Sequence, residues 1–136
     1  MSAPVVVIIA AGVGTRMRSA TPKLLHPLCG RPLINWTVEA ARAAGASKVV
    51  VVDGPERPLD RALGGRVHVA VQERPLGTAD AVRAAREHFD SGGTVVVLNG
   101  DNPLFTPSTI QRLVEAHRRS GAAATIATAI LEAPGR

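Results

Sequence analysis

The chain has one cysteine, no tyrosine, one tryptophan and two phenylalanines in 136 residues. Cys29 has no partner for an internal disulfide, and His26, His68, His88 and His117 lack the spacing of a Cys/His zinc cluster. Cys29 itself reads as a small buried or half-buried residue. Trp36, Phe89 and Phe105 are too few to fill an interior, so Val, Ile, Leu and Ala must do so. That favours layers of sheet and helix packed through aliphatic side chains. No run of about 18 apolar residues is present, and none implies a membrane span. The N-terminal residues enter an apolar run without a charged leader, so no signal peptide and no membrane partner are expected, and the cytoplasm is the default location. Lysine is scarce: only Lys23 and Lys48 occur, and the rest of the positive charge behind the formal +5 is arginine. The basic residues are scattered, with no basic arm and no aromatics interleaved for base stacking, so no nucleic-acid partner is expected. An anionic small molecule accounts for Arg16 and Lys23 instead.

Two common glycine loops are also absent. No Gly-Lys pair exists, which excludes a Walker loop, and Met17 stands where a dinucleotide fingerprint needs a third small residue. What is present is Ala10-Ala11-Gly12-Val13-Gly14-Thr15-Arg16-Met17 with Pro22-Lys23 beyond it, directly after Val5-Val6-Val7-Ile8-Ile9. A lone Gly-x-Gly would be an ordinary tight turn; this order predicts a buried strand opening into a nucleotide loop. Gly12 and Gly14 let a nucleotide lie against backbone N–H groups. Arg16 and Lys23 can then meet the phosphates. The chemistry implied is phosphoryl or nucleotidyl transfer, which needs in-line positioning and neutralised charge more than covalent help. An ionised phosphate can itself attack, so no protein base is required, and His26 in His26-Pro27-Leu28 reads as a packing element.

Along the chain, strand and helix patterns alternate. Strands are predicted over Val5–Ala10, Lys48–Val52, Val67–Gln72, Thr94–Leu98 and Ala123–Leu131. Helices are predicted over Leu33–Ala44, with an apolar stripe through Ile34, Val38 and Ala41, and over Pro58–Leu63. A third runs from Thr78, as its cap, to about His88, and a fourth from Thr106 and Pro107 to about Ser120. Unbroken Val runs imply strands covered on both faces, and intervening helices imply right-handed crossovers. The expected fold is α/β, a doubly wound, mostly parallel, Rossmann-like sheet. The tail Ala133-Pro134-Gly135-Arg136 follows a strand directly, so residues 1–136 are expected to be the nucleotide-binding part of a domain cut short at its C-terminus.

Ligands of such sheets sit beyond the carboxyl ends of the strands, where three polar loops fall: Gly12 to Arg16, Gln72 to Thr78, and Asn99-Gly100-Asp101. Asp101 follows a buried strand and suits Mg²⁺, which takes one or two carboxylates plus phosphate oxygens and water. Gly100 would let the backbone approach a ribose or phosphate. The Gln72 amide can donate and accept at once, which suits reading a base edge. Gly77 offers an open backbone amide, Thr78 a hydroxyl and helix-start N–H groups. Asp80 reads as a first-turn acid favoured by the helix dipole.

With these motifs assembled, the chain resembles the sugar-phosphate nucleotidyltransferases, and more closely the N-terminal pyrophosphorylase domain of bacterial N-acetylglucosamine-1-phosphate uridyltransferases, which are bifunctional. The resemblance covers Val5 to Arg136 and rests on the opening loop with Pro22-Lys23-Leu24-Leu25-His26-Pro27, on Gln72 with Leu76-Gly77-Thr78-Ala79, and on Gly100-Asp101 with Pro103-Leu104. It implies that UTP and N-acetylglucosamine 1-phosphate give UDP-N-acetylglucosamine and pyrophosphate with Mg²⁺, for bacterial cell-wall polymers. Ala10, Ala11 and Gly12 would contact uracil through backbone, joined by Gln72 and Gly77 with Thr78 nearby. Gly14 belongs to the same nucleotide loop. Gly100 would face the ribose, Asp101 would hold the metal, and Arg16 and Lys23 would act on the phosphates. Asn102 and the missing histidine after Asp53-Gly54 depart from the family pattern and touch substrate detail. Family members continue into a sugar-binding half and a C-terminal β-helix that acetylates glucosamine 1-phosphate and forms trimers, so this stretch alone is expected to bind nucleotide weakly or not at all and to be inactive by itself. The alternatives are transfer from CTP or GTP to another phosphorylated acceptor, and a non-catalytic regulatory module, against which Arg16, Lys23 and Asp101 together argue.

Overall fold

The computed structural model describes residues 2–12 and 14–132. Five consecutive β-branched residues form β1 (Val5–Ile9). A short antiparallel hairpin, β2 (Pro27–Leu28) and β3 (Arg31–Pro32), leads into α1 (Leu33–Ala43). Then follow β4 (Lys48–Asp53), α2 (Pro58–Leu63), β5 (His68–Val71), α3 (Thr78–Ala84), β6 (Val95–Asn99) and α4 (Pro107–Ser120). Strands β1, β4, β5 and β6 form one parallel sheet in the order β5-β4-β1-β6. The chain steps outward from β1 to β4 to β5, then returns to place β6 on β1's other side. The reversal of strand order between β1 and β6 is the topological switch point, where sheets of this kind leave a crevice.

The unbroken apolar strands are explained by what covers them. Val6 and Ile8 point to one face, where Ile34, Val38 and Ala41 of α1, Leu59 and Leu63 of α2, and Ile110 and Val114 of α4 pack. Val5 and Val7 point to the other, against Ala81 and Ala85 at α3 and its end. Helices therefore lie on both faces, as the valine runs predict. At α4, Pro107 occupies the first turn and Thr106 Oγ1 accepts a hydrogen bond from the Thr109 N–H at 3.2 Å, so the expected cap is present.

Four expectations are corrected. Thr78 does not cap α3: Gly77, at φ 102°, holds the cap position, and no side chain closes it. The third helix stops at Ala84 and is followed by a single 3-10 turn, Arg86–His88. Cys29 is exposed, because it sits with Gly30 in the β2–β3 turn, both at positive φ, 50° and 79°. The stretch Ala123–Leu131 is not a strand. Among the described residues β6 pairs only with β1, and a hydrogen bond between His117 Nδ1 and Thr125 Oγ1 (3.0 Å) ties this stretch to α4. Strand propensity without a ladder partner leaves Ile126 and Ile130 82% and 101% exposed. The tail Ala133–Arg136 lies outside the described residues.

Candidate active site

A cleft of about 630 Å³ opens at the switch point, lined by Gly12, Gly14, Arg16, Lys23, Asn99 and Asp101 among others. Its first wall is the loop after β1. The Ala10 N–H still donates to Val52 O of β4 (3.0 Å), so the strand's direction is kept one residue past its end. Ala10 is buried and Ala11 half-buried. A side chain grafted onto Gly12 would meet nothing within 4 Å, so this glycine faces open space. Gly14 differs: at φ 63° a Cβ there would lie 2.6 Å from Lys23 Cβ. Its bareness lets the Lys23 stem pack against the loop, and its left-handed backbone starts the single 3-10 turn Thr15–Met17 that carries Arg16. A second such turn, Lys23–Leu25, presents Lys23.

The second wall is the loop after β6. The Gly100 N–H donates to Ile9 O of β1 at 3.0 Å. A Cβ on Gly100 would sit 2.9 Å from Leu24 Cδ1, 3.2 Å from Ile34 Cδ1 and 3.2 Å from Ile9 O, so only glycine fits that approach. Thr37 of α1, fully buried within the apolar stripe, directs its hydroxyl at the carbonyls of Gly100 and Asn102, each at 3.4 Å. These contacts bracket Asp101 and hold its carboxylate at the cleft. Lys23 Nζ donates to Asp101 Oδ2 at 2.7 Å, with both side chains partly exposed at 36% and 46%. Arg16 makes no ion pair among the described residues.

Asp101 presents carboxylate oxygens, the donor type a hard divalent cation takes, with the Lys23 ammonium against Oδ2. No group of three or more His, Cys, Asp or Glu side chains capable of holding a metal exists among the described residues. A cation here would complete its shell with phosphate oxygens and water, as Mg²⁺ does beside nucleotides.

The third loop stands apart. Gln72 and Gly77 lie beyond β5, separated from β1 by β4, a displacement of two strand spacings or about 10 Å. Gln72 and Asp80 line a shallower depression of their own with Glu73, Leu76 and Arg83. The buried Gln72 amide nitrogen donates to Gly77 O (3.1 Å) and Asp80 Oδ2 (2.9 Å). In this arrangement the donor half of the amide braces the loop, and its oxygen is the remaining acceptor. Asp80 is the first-turn acid expected of it. The hydrogen bond from Gln72, then that from Arg83 (2.5 Å), hold its carboxyl below the usual aspartate value.

Three features escape sequence reasoning. Thr37 carried the signal of a hydroxyl inside an apolar stripe. Asp53, 1% exposed at the end of β4, accepts from the N–H groups of Gly54, Leu59 and Asp60 at 2.9–3.0 Å and so satisfies the start of α2. The β2–β3 hairpin carries the third: Trp36 Nε1 donates to Leu28 O (3.1 Å) and Arg31 stacks 4.6 Å above the indole. His26 is half-buried, with its Nε2 within 3.2 Å of Thr21 O.

Comparison with known proteins agrees with this fold. The bifunctional protein GlmU of Caldanaerobacter subterraneus subsp. tengcongensis is 44% identical over 129 residues, 94% of this chain and 28% of that protein. The chain thus spans under a third of the length of such relatives. The crystal structure of Rv0371c from Mycobacterium tuberculosis superposes with a TM-score of 0.72 at 28% identity, covering 88% of this chain and 63% of the other. The same protein has also been solved in complex with manganese, with a TM-score of 0.70 at 26% identity, over 87% of this chain and 61% of the other. A nucleotidyl transferase from Methanothermobacter gives 0.71 at 30% identity, over 85% of this chain and 58% of its own. The MobA-like NTP transferase domain family matches residues 6–132. With a parallel sheet, a switch-point cleft and the glycine loop in place, the chain belongs to the MobA-like NTP transferase domain family and fits the N-terminal nucleotidyltransferase part of the GlmU proteins.

Proposed function

We propose that this chain is the nucleotide-binding part of a uridylyltransferase that converts UTP and N-acetylglucosamine 1-phosphate to UDP-N-acetylglucosamine and pyrophosphate. The observation that carries it is the single cleft joining Gly12, Gly14, Arg16, Lys23 and Asp101 at the switch point. In the reaction a phosphate oxygen of the sugar phosphate attacks the α-phosphorus of UTP, a new P–O bond forms, and pyrophosphate leaves with the electrons of the bond that breaks. Arg16, free of any ion pair among the described residues, meets the phosphates as a forked donor. Lys23 neutralises developing charge, a role worth about 3 kcal/mol of barrier for one well-placed group. Asp101 would hold Mg²⁺, which when bound draws charge off the phosphates and orients them; the manganese complex of the Rv0371c neighbour supports a divalent cation in this fold. Ala10, Ala11 and Gly12 offer backbone to the uracil, and the turn at Gly100 faces the ribose. Gln72, with Gly77 and Thr78, reaches the base from across β4, its amide oxygen suited to the N3–H of uracil.

The test is calorimetric titration with Mg·UTP, using Mg·GTP as control and Asp101→Ala as variant. Weak, UTP-selective binding that Asp101→Ala loses is expected. Equal binding of Mg·GTP would move the reading to a nucleotidyltransferase for another base. No binding to a folded sample would overturn nucleotide binding by this stretch alone and mean that the sugar-binding half is needed to close the site.

A further inference from the structure

Arg16 and Lys23 line the same cleft, yet they differ in one respect: Arg16 has no ion partner among the described residues, whereas Lys23 is held by Asp101 at 2.7 Å. A lysine in that state cannot serve a phosphate at full strength, because its charge is already balanced. Nor can the carboxylate take a divalent cation freely, because an ammonium at hydrogen-bond distance occupies one face of Oδ2 and repels a second cation. Each partner masks the other. We infer that the Lys23–Asp101 pair is a latch: Lys23 lets go of Asp101 only when a divalent cation takes the carboxylate, and is then free to swing to a phosphate. This rests on the reading of Asp101 as the metal ligand.

The local build suits such a swing. The foot of the Lys23 side chain lies close against the first loop, since Gly14 lacks the Cβ that would collide with Lys23 Cβ at 2.6 Å. Beyond it a flexible stem carries the ammonium, which is partly exposed rather than caged. Asp101, by contrast, is held from behind through Gly100 and Asn102 by Thr37 and Ile9. The carboxylate is therefore the fixed member and the ammonium the movable one. Metal and phosphate consequently favour each other's binding, and the coupling is reciprocal. With no metal the pair is neutral and gives a stray phosphate or pyrophosphate little attraction.

The scarcity of lysine makes this directly measurable. Lys23 and Lys48 are the only lysines, and Lys48 is paired elsewhere, with Asp90 at 2.8 Å. Reductive methylation with ¹³C-formaldehyde keeps the charge and yields two lysine signals beside that of the N-terminus, assigned by Lys23→Gln. On adding Mg²⁺ at constant ionic strength, the Lys23 signal should move toward its position in Asp101→Asn, while Lys48 stays still. In Asp101→Asn the signal should already be there and not respond. Lys23→Gln should tighten Mn²⁺ binding about two- to fivefold, the scale of a partly exposed ion pair. If Mn²⁺ selectively broadens the Lys23 signal but Mg²⁺ never shifts it, metal arrives while the pair persists, and the latch alone is overturned. If neither ion affects Lys23 in wild type and Lys23→Gln leaves Mn²⁺ binding unchanged, Asp101 takes no metal, and both the latch and that part of the proposed function fall.

Discussion

At the scale of the residue, the glycines in the cleft and behind it do different work and can be told apart by substitution. Gly12→Val should leave the thermal midpoint within a degree or two but abolish nucleotide binding, because the new side chain enters space that is open in the fold. Gly100→Ala should do the reverse first: its methyl group meets Leu24, Ile34 and the Ile9 carbonyl, and the expected cost is about 1–3 kcal/mol by urea unfolding. Equal effects of the two would contradict the placement of Gly12. Asp80 supplies a pH signature. Its carboxyl is held below the ordinary 3.8 by Gln72 and then Arg83, so the ionised form is the one the fold favours. The stabilisation it brings is complete above the unfolded value and is lost as pH falls through the lower folded value. Stability measured from pH 6 to pH 2 should therefore drop less steeply below about pH 4 in Asp80→Asn than in the parent chain.

At the scale of the element, helix starts separate what is local from what is not. α4 carries its own cap in Thr106, and Thr106→Ala should cost about 1 kcal/mol in chemical unfolding. α2 has no such side chain; its first N–H groups are met by Asp53 from the end of β4. Asp53→Ala would leave those buried donors unpaired, with an expected loss of about 2–4 kcal/mol. A smaller loss than that of Thr106→Ala would show that water replaces the carboxylate. The periodic elements were legible in sequence because each is driven by a local pattern: valine runs for the strands, the Ile34–Val38–Ala41 stripe for α1, the Thr-Pro pair for α4. The stretch 123–131 departs from its pattern for the same reason: its propensity is strand-like, but a ladder partner is a tertiary matter.

At the scale of the whole molecule, the strand order β5-β4-β1-β6 sets both stability and site. β1 is bonded on both sides and buried on both faces, so its amides should exchange with deuterium only on global unfolding. Residues 122–132 should exchange fastest among the described segments. Mass-spectrometric exchange that finds 122–132 as protected as β1 would instead restore the strand that the residue pattern predicts. No helix among the described residues is long and apolar enough to cross a membrane.

The amino-acid sequence by itself determined the classes of element, the parallel α/β architecture and the residue types at the cleft. Those properties depend on local periodicity and on glycine and proline chemistry that short-range sterics impose. Which loops share a cleft was decided by the tertiary structure. Gly12, Arg16 and Lys23 meet Asp101 because β6 lies beside β1, while Gln72 stands off because β4 intervenes. The pairing of Lys23 with Asp101, 78 positions away, and the reach of the Thr37 hydroxyl to the Gly100 carbonyl, 63 positions away, have the same origin. Both depend on strand order, and strand order is a property of the packed sheet rather than of any segment within it.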